Sequence, residues 1–302
     1  MVPDEIEKSL MEAAGKALDA PAKEAGEQLA KLINLIFTPL EMLKIHRDAW
    51  LSDYKDRILQ KFNRVPAEKL VLPPLNIIGP ALEASKYHIG SKELREMFSN
   101  LIAHACNADM ESVIHPAYIP ILTQLSPLEA QILAGFRPKT EIKMGLTMTS
   151  KTGDVEEILS HQEPSGVGTF TFPEIVLPIA NYYLCKGTQE MLAQDNVIRF
   201  DGCTDFGLIS SSVANLCRLG LLQISLGGRV SNGDYDFFRN NTLYRQLEQD
   251  ISNKESLSIR FIRGHRVGDY DCIAIKEGTV RLTQFGYNFI SSCVIESEVT
   301  QE

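Results

Sequence analysis

Apolar residues recur at helical spacing through much of the first half of the chain. From Ser91 to Cys106, the residues Leu94, Met97, Phe98, Leu101, Ile102 and Ala105 fall three or four positions apart. That is the stripe of a helix with one face toward a core. Ser91 stands at the N-cap position, and Glu93 and Glu96 suit the positive end of the helix. Between Glu41 and Phe62 the same period links Leu43, Trp50, Tyr54, Ile58 and Leu59 among charges of both signs. This predicts an amphipathic helix with a salt-bridged outer face. Residues 4–62 as a whole read as helical, divided at Pro21 and Pro39. Ala117 to Leu125 add a short helix. Ser126-Pro127-Leu128-Glu129 then opens another, running to Phe136, with Ser126 as cap, proline in the first position and Glu129 completing a near capping box.

Proline and glycine divide these runs. Pro66, Pro73, Pro74 and Pro80 forbid a long helix and mark a linker. Pro73-Pro74 is expected to be extended, and Gly79-Pro80 to form a helix entry.

Beyond Phe136 the pattern changes. KTEIKMGLTMTSKTGDV reads as strand with turns, SHQEPSGVG as a polar loop, and FTFPEIVLPIANYYLCKG as strand or helix. A helix from Ile209 to Leu219 is closed by Gly220 and leads into a strand at Leu221 to Ser225. The last segment gives strand, turns, a strand at Val280 to Leu282 and a closing helix. The expected fold is therefore mainly α with an α+β C-terminal part. It comprises N-terminal helices (residues 1–64), a central helical unit (65–137) and a winged-helix-like region (138–302) that shares the 126–136 helix.

CRLGLLQIS followed later by VRLTQFGYNFISSC carries the winged-helix reading. On it, Ser210, Ser211, Ser212, Asn215 and Arg218 face a DNA major groove, while Arg260, Arg263, His265 and Arg266 form a basic wing. The net charge of −9 argues against a general nucleic-acid binder, so DNA ranks below a protein partner or self-association.

The six cysteines are scattered without a CxxC pair, which points to reduced, buried thiols in a cytoplasmic protein rather than to a metal site or a disulfide framework. The N-terminus is acidic and polar, unlike a signal peptide. Leu29 to Ile45 is the most apolar run, but Lys31, Glu41, Lys44 and Pro39 interrupt it. A spanning helix wants about 20 apolar residues. The run is expected to be a core or oligomer-contact helix, with peripheral placement at the inner membrane as the alternative.

No P-loop, nucleophile elbow, HExxH or calcium-loop motif is present, and no cofactor or metal is expected. Glu96, Asn100 and His104 share one helix face at i, i+4 and i+8, with His115 in the following loop. A metal or acid–base role for that row is weighed against a solvated face or an interhelical hydrogen-bond set, which is favoured. His115 is expected to order the turn before Pro116. Asp234, Asp236, Asp269 and Asp271 read as acidic turn residues.

The words LPPLNIIGPALEASKY, ELREMFSNLIAHACN, VIHPAYIPILTQLSPLEAQIL and RLTQFGYNFISSCV together resemble the Abi-alpha (abortive infection alpha) family of bacterial proteins. The resemblance runs from about Pro66 to Val294. It implies a bacterial cytosolic protein linked to phage defence by abortive infection, and it carries over no catalytic residues. Among the matching positions, Glu93, Arg95, Asn100 and His115 are polar without an evident scaffold duty. With Glu96 and His104 they are the candidate site. The expected function is defence through protein–protein contact or assembly, without catalysis. A membrane-acting effector using residues 29–45, a winged-helix DNA-binding regulator and a cryptic hydrolase are the rivals. No small-molecule ligand is indicated.

Overall fold

The computed structural model describes residues 48–71, 74–137, 175–230, 233–253 and 260–295. Among the described residues five α-helices come first: α1 (Asp48–Phe62), α2 (Leu75–Ser85), α3 (Lys92–His104), α4 (Tyr118–Thr123) and α5 (Pro127–Ala134). Strands β1 (Val176–Lys186) and β2 (Gln189–Val197) form a hairpin, followed by α6 (Phe206–Arg218) and β3 (Leu222–Leu226). An insertion then carries α7 (Phe237–Asn240), α8 (Thr242–Ser252) and the short strands β4 (Phe261–Ile262) and β5 (His265–Arg266). The chain returns through β6 (Cys272–Leu282) and closes with α9 (Gln284–Cys293). Among the described residues this is a mixed α/β protein, with every strand in the C-terminal part. The main sheet is antiparallel in the order β2-β1-β6-β3.

Local signals explain most boundaries. Ser91 Oγ accepts from the Leu94 N–H and starts α3, whose predicted apolar stripe is buried. Ser126 and Glu129 form a full capping box on α5, with Pro127 in its first turn. Asp205 caps α6, and Gly220, at φ +73°, ends its last turn before β3.

Two expectations change. The entry into α2 is at Leu75, behind the extended Pro74, so Gly79-Pro80 lies inside the helix instead of starting it. Gly79 has no Cβ, which relieves the clash that normally keeps a residue before proline out of the α region. On α1 the inward stripe is Leu51, Tyr54, Ile58 and Phe62, while Trp50 is 43% exposed and lies beside Gly90. Trp50 sits about 100° around the helix from Leu51, which takes the core position. The expected outer-face pair is present as Arg57–Asp53, 2.8 Å.

One core joins α1–α6, α9, β3 and β6, so the central helices and the C-terminal sheet share their interior. A second core lies on the opposite face of the sheet, where Ala180, Tyr182 and Leu184 of β1 meet Phe238, Leu247 and Ile251. The Tyr182 hydroxyl donates to the Phe238 carbonyl (2.7 Å), and Asn241 donates to that hydroxyl (2.6 Å), fixing α7–α8 on the sheet. The expected elements in residues 4–47 and 138–174, including the apolar run Leu29 to Ile45, lie outside the described residues.

Candidate functional site

The polar face of α3 is built from three neighbours. Glu96 accepts from Arg57 Nη1 (2.6 Å) and Lys61 Nζ (2.5 Å), both on α1, and Lys61 is almost fully buried. Arg95, also buried, donates to the Ile89 carbonyl (2.8 Å) and lies 3.2 Å from Asp53. Glu93 accepts from Ser91 Oγ (3.0 Å) and from Gln131 Nε2 of α5 (2.8 Å). Burial pushes the Glu93 carboxyl up, but hydrogen bonds from Gln131, its own N–H and Ser91 outweigh it and hold the group below its ordinary value. The hydrogen bond from Arg57 does the same for Asp53.

One and two turns further along, the same face meets the end of α9. Asn100 Nδ2 donates to the Cys293 carbonyl and His104 Nδ1 to the Ser292 carbonyl, each at 2.9 Å. The last carbonyls of a helix lack intrahelical partners. Asn100 and His104, both buried, supply them from another helix.

His115 stands apart. It is exposed, and its Nδ1 accepts from the Ala117 N–H (3.1 Å), ordering the turn around Pro116. Its ring lies near Tyr118 and Phe285, and Tyr118 meets Phe289 edge-on at 5.3 Å. Thus α4 and α9 are joined by aromatic contacts while α3 and α9 are joined by hydrogen bonds.

The Leu-Thr-x-x-Gly phrase has a physical role at the start of α9. Thr283 Oγ1 accepts from the Gly286 N–H (2.9 Å) and donates to the Gly220 carbonyl (2.5 Å), while the Thr283 N–H donates to the Leu221 carbonyl (3.0 Å). The Arg-Leu-Gly-Leu turn and the Leu-Thr-x-x-Gly turn therefore interlock. A model of the family described as abortive infection alpha matches residues 46–293. The chain belongs to that family. No curated protein and no solved structure matches it.

In this abortive infection alpha protein the six polar candidates do not converge on one cleft. Glu93, Arg95 and Glu96 tie α3 to α1 and α5, Asn100 and His104 tie it to α9, and His115 orders a surface loop. Among the described residues, no group of three or more His, Cys, Asp or Glu side chains is placed to hold a metal ion. Asp234 accepts from Arg199 (2.8 Å) and from the Phe237 N–H (3.2 Å), as an acidic turn residue does.

The groove-facing expectation for α6 is corrected in part. Ser210 and Ser212 are buried, and Ser210 Oγ donates to Asp195 of β2 (2.7 Å). Asn215 donates to Glu129 (2.7 Å), and Arg218 donates to Gln124 and Asn215. Asp195 of β2 holds Ser210 and Glu129 of α5 holds Asn215, while Ser211 and Arg218 remain exposed.

The expected wing residues fall at and just before the β4–β5 hairpin, where Arg260 lies 3.5 Å from Asp250 of α8. Arg260, Arg263 and His265 are exposed on the β4–β5 hairpin and Arg266 is half-buried. Arg263 (φ 52°) and Gly264 (φ 82°) form its two-residue loop. Phe261, 61% exposed, stands at the base of the same hairpin. Phe261 was not singled out by sequence, and Arg263 was read there only as a cation, not as a left-handed turn residue; the Arg263-Gly264 pair was the available turn signal.

Proposed function

We propose that this protein defends a bacterial population against phage by abortive infection, acting through protein–protein contact or self-assembly without catalysis of its own. Membership of the abortive infection alpha family supports the setting. The observation that carries the mechanism is the use of Glu93, Arg95, Glu96, Asn100 and His104 as ties between helices. Each is engaged by a scaffold partner, which favours a rigid platform over a reaction centre.

The test is phage infection of cells expressing the full chain or a form lacking residues 1–47. Survival is followed at low and high phage dose, with light scattering on the purified protein. A cut at Asp48 leaves α1 in place, whereas one at Arg64 removes Tyr54, Ile58 and Phe62 from the core. Protection with culture collapse at high dose, and particles larger than a monomer, are expected. A folded His115→Ala or Glu96→Gln protein that keeps its assembly size but loses protection overturns the non-catalytic reading.

The membrane-acting alternative rests on residues 29–45, outside the described residues. Among those described, no helix is long and apolar enough to cross a membrane. Co-sedimentation with anionic vesicles, with and without residues 1–47, decides that reading.

A nucleic-acid reading has one specific support. The β4–β5 hairpin presents Arg260, Arg263 and His265 beside an exposed phenyl ring, a mixture of cation and stacking surface. On that reading α5, α6, β3 and β6 form a winged-helix core enlarged by β1–β2, with the hairpin rather than α6 as the contact. Retention on DNA at low salt that survives Arg260→Glu and Arg263→Glu removes it.

A further inference from the structure

The face of β1 that carries Ile179 changes surroundings along the strand. Ile179 lies in the main core, Tyr183 is half-buried, and Cys185 stands near the far end beyond that core. Cys185 is paired directly across the ladder with Cys272, the first residue of β6. Directly opposed residues of an antiparallel pair have Cα atoms about 4.5–5.5 Å apart, within the span that a disulfide bridges. Their side chains leave the same face of the sheet. Both thiols are free, Cys272 is exposed and Cys185 is buried.

We propose that Cys185 and Cys272 are a reversible redox pair, in which hydrogen peroxide oxidises Cys272 and Cys185 then closes a disulfide between β1 and β6. The Cys272 thiolate attacks one peroxide oxygen, the O–O bond breaks and hydroxide leaves, giving a sulfenic acid. The Cys185 thiol gives up its proton and attacks that sulfur. The S–O bond breaks, water departs, and the S–S bond forms. The two thiols together lose two electrons and two protons, and the peroxide is reduced to water.

The order of attack follows from the surroundings. Burial, with Cys272 and Glu190 beside it, holds the Cys185 thiol above its ordinary value. The exposed Cys272 therefore reaches the oxidant first and Cys185 resolves it. Closing the bond draws the Cβ atoms from the cross-strand spacing of about 4.5–5.5 Å to about 3.8 Å. Exposed disulfides are readily reduced, and Cys272 is exposed, which suits a switch better than a permanent staple. Cys185 and Cys272 are the last pair of the β1–β6 ladder, and the neighbouring Asp271 N–H donates to the Cys185 carbonyl (2.8 Å). The bond would pin there the exit of the insertion carrying α7, α8 and the β4–β5 hairpin.

The full chain is treated with hydrogen peroxide, its remaining thiols are blocked, and its peptides are mapped without reductant. A linked Cys185–Cys272 peptide, lighter by two hydrogens, is expected. It should vanish with dithiothreitol and be absent from Cys272→Ser and Cys185→Ser. In Cys185→Ser, Cys272 should instead run on to the sulfinic acid, and Cys203→Ser should leave the linked peptide unchanged. Oxidation of Cys272 in the wild-type chain with Cys185 still a free thiol overturns the proposal. So does a Cys272 bond to another cysteine or to a second chain. These two outcomes are read on the unmodified protein and do not depend on a variant folding.

Discussion

Gly286 lies so close to the Leu221 carbonyl that a β-carbon added to it would fall far inside van der Waals contact with the oxygen. This approach lets α9 rest on the turn between α6 and β3. Gly286→Ala is expected to destabilise the fold by at least about 1–3 kcal/mol, the usual cost of overpacking, because the obstacle is backbone and cannot rotate away. Thr283→Val should lose the helix cap, about 1 kcal/mol, and the bond to the Gly220 carbonyl as well. Urea unfolding of both variants checks these values.

Asn100 and His104 satisfy carbonyls at the end of α9 from a helix nearly two hundred residues earlier in the chain. Replacing either by alanine leaves a buried acceptor unpaired, at a cost of about 1–3 kcal/mol. The two losses should not add, because both act on one helix end. A double-mutant cycle on unfolding midpoints measures the coupling. Additive losses would mean that the two bonds act independently.

Glu96 sits between Arg57 and the buried Lys61. Glu96→Gln is expected to cost about 2 kcal/mol, the scale of a hydrogen bond to a charged group. Adding Lys61→Met should restore part of that loss, since an apolar side chain removes the buried charge that the single variant leaves less well compensated. Thermal melts of the single and double variants give the comparison.

Acid should weaken the fold in two steps. Burial holds His88, stacked on Phe98 at 5.8 Å, below its ordinary value. Its unfolded form takes a proton near pH ~6.5, before the folded form does. Stability is therefore lost as pH falls from there through the folded value. Asp53 and Glu93 are also held below their ordinary values, so their contribution is complete above about pH 4 and disappears as pH falls through their folded values. Urea midpoints against pH should show both slopes. His88→Phe should flatten the upper one and Glu93→Gln part of the lower.

Elements with their own start and stop signals could be read from sequence. The stripe and cap of α3, the capping box of α5 and the Gly220 closure of α6 are properties of a few adjacent residues, and local physics settles them. The α8 helix was legible in principle, since Leu243, Leu247 and Ile251 recur every four residues and are buried, yet its polar composition hid it. Strand β2, QEMLAQDNV, carries little β-branched character. It exists because β1 offers it a ladder, not because its residues prefer one.

Sequence by itself determined the cap and apolar stripe of α3, the capping box of α5, the Gly220 closure of α6, and the motif words that mark the family. Tertiary structure alone decided what the polar residues of those words do. A helical period places Glu96, Asn100 and His104 on one face, but it cannot say whether that face meets water, a ligand or the carbonyls of another helix. Those partners come from residues far along the chain, and only packing brings them within the roughly 3 Å over which a hydrogen bond acts.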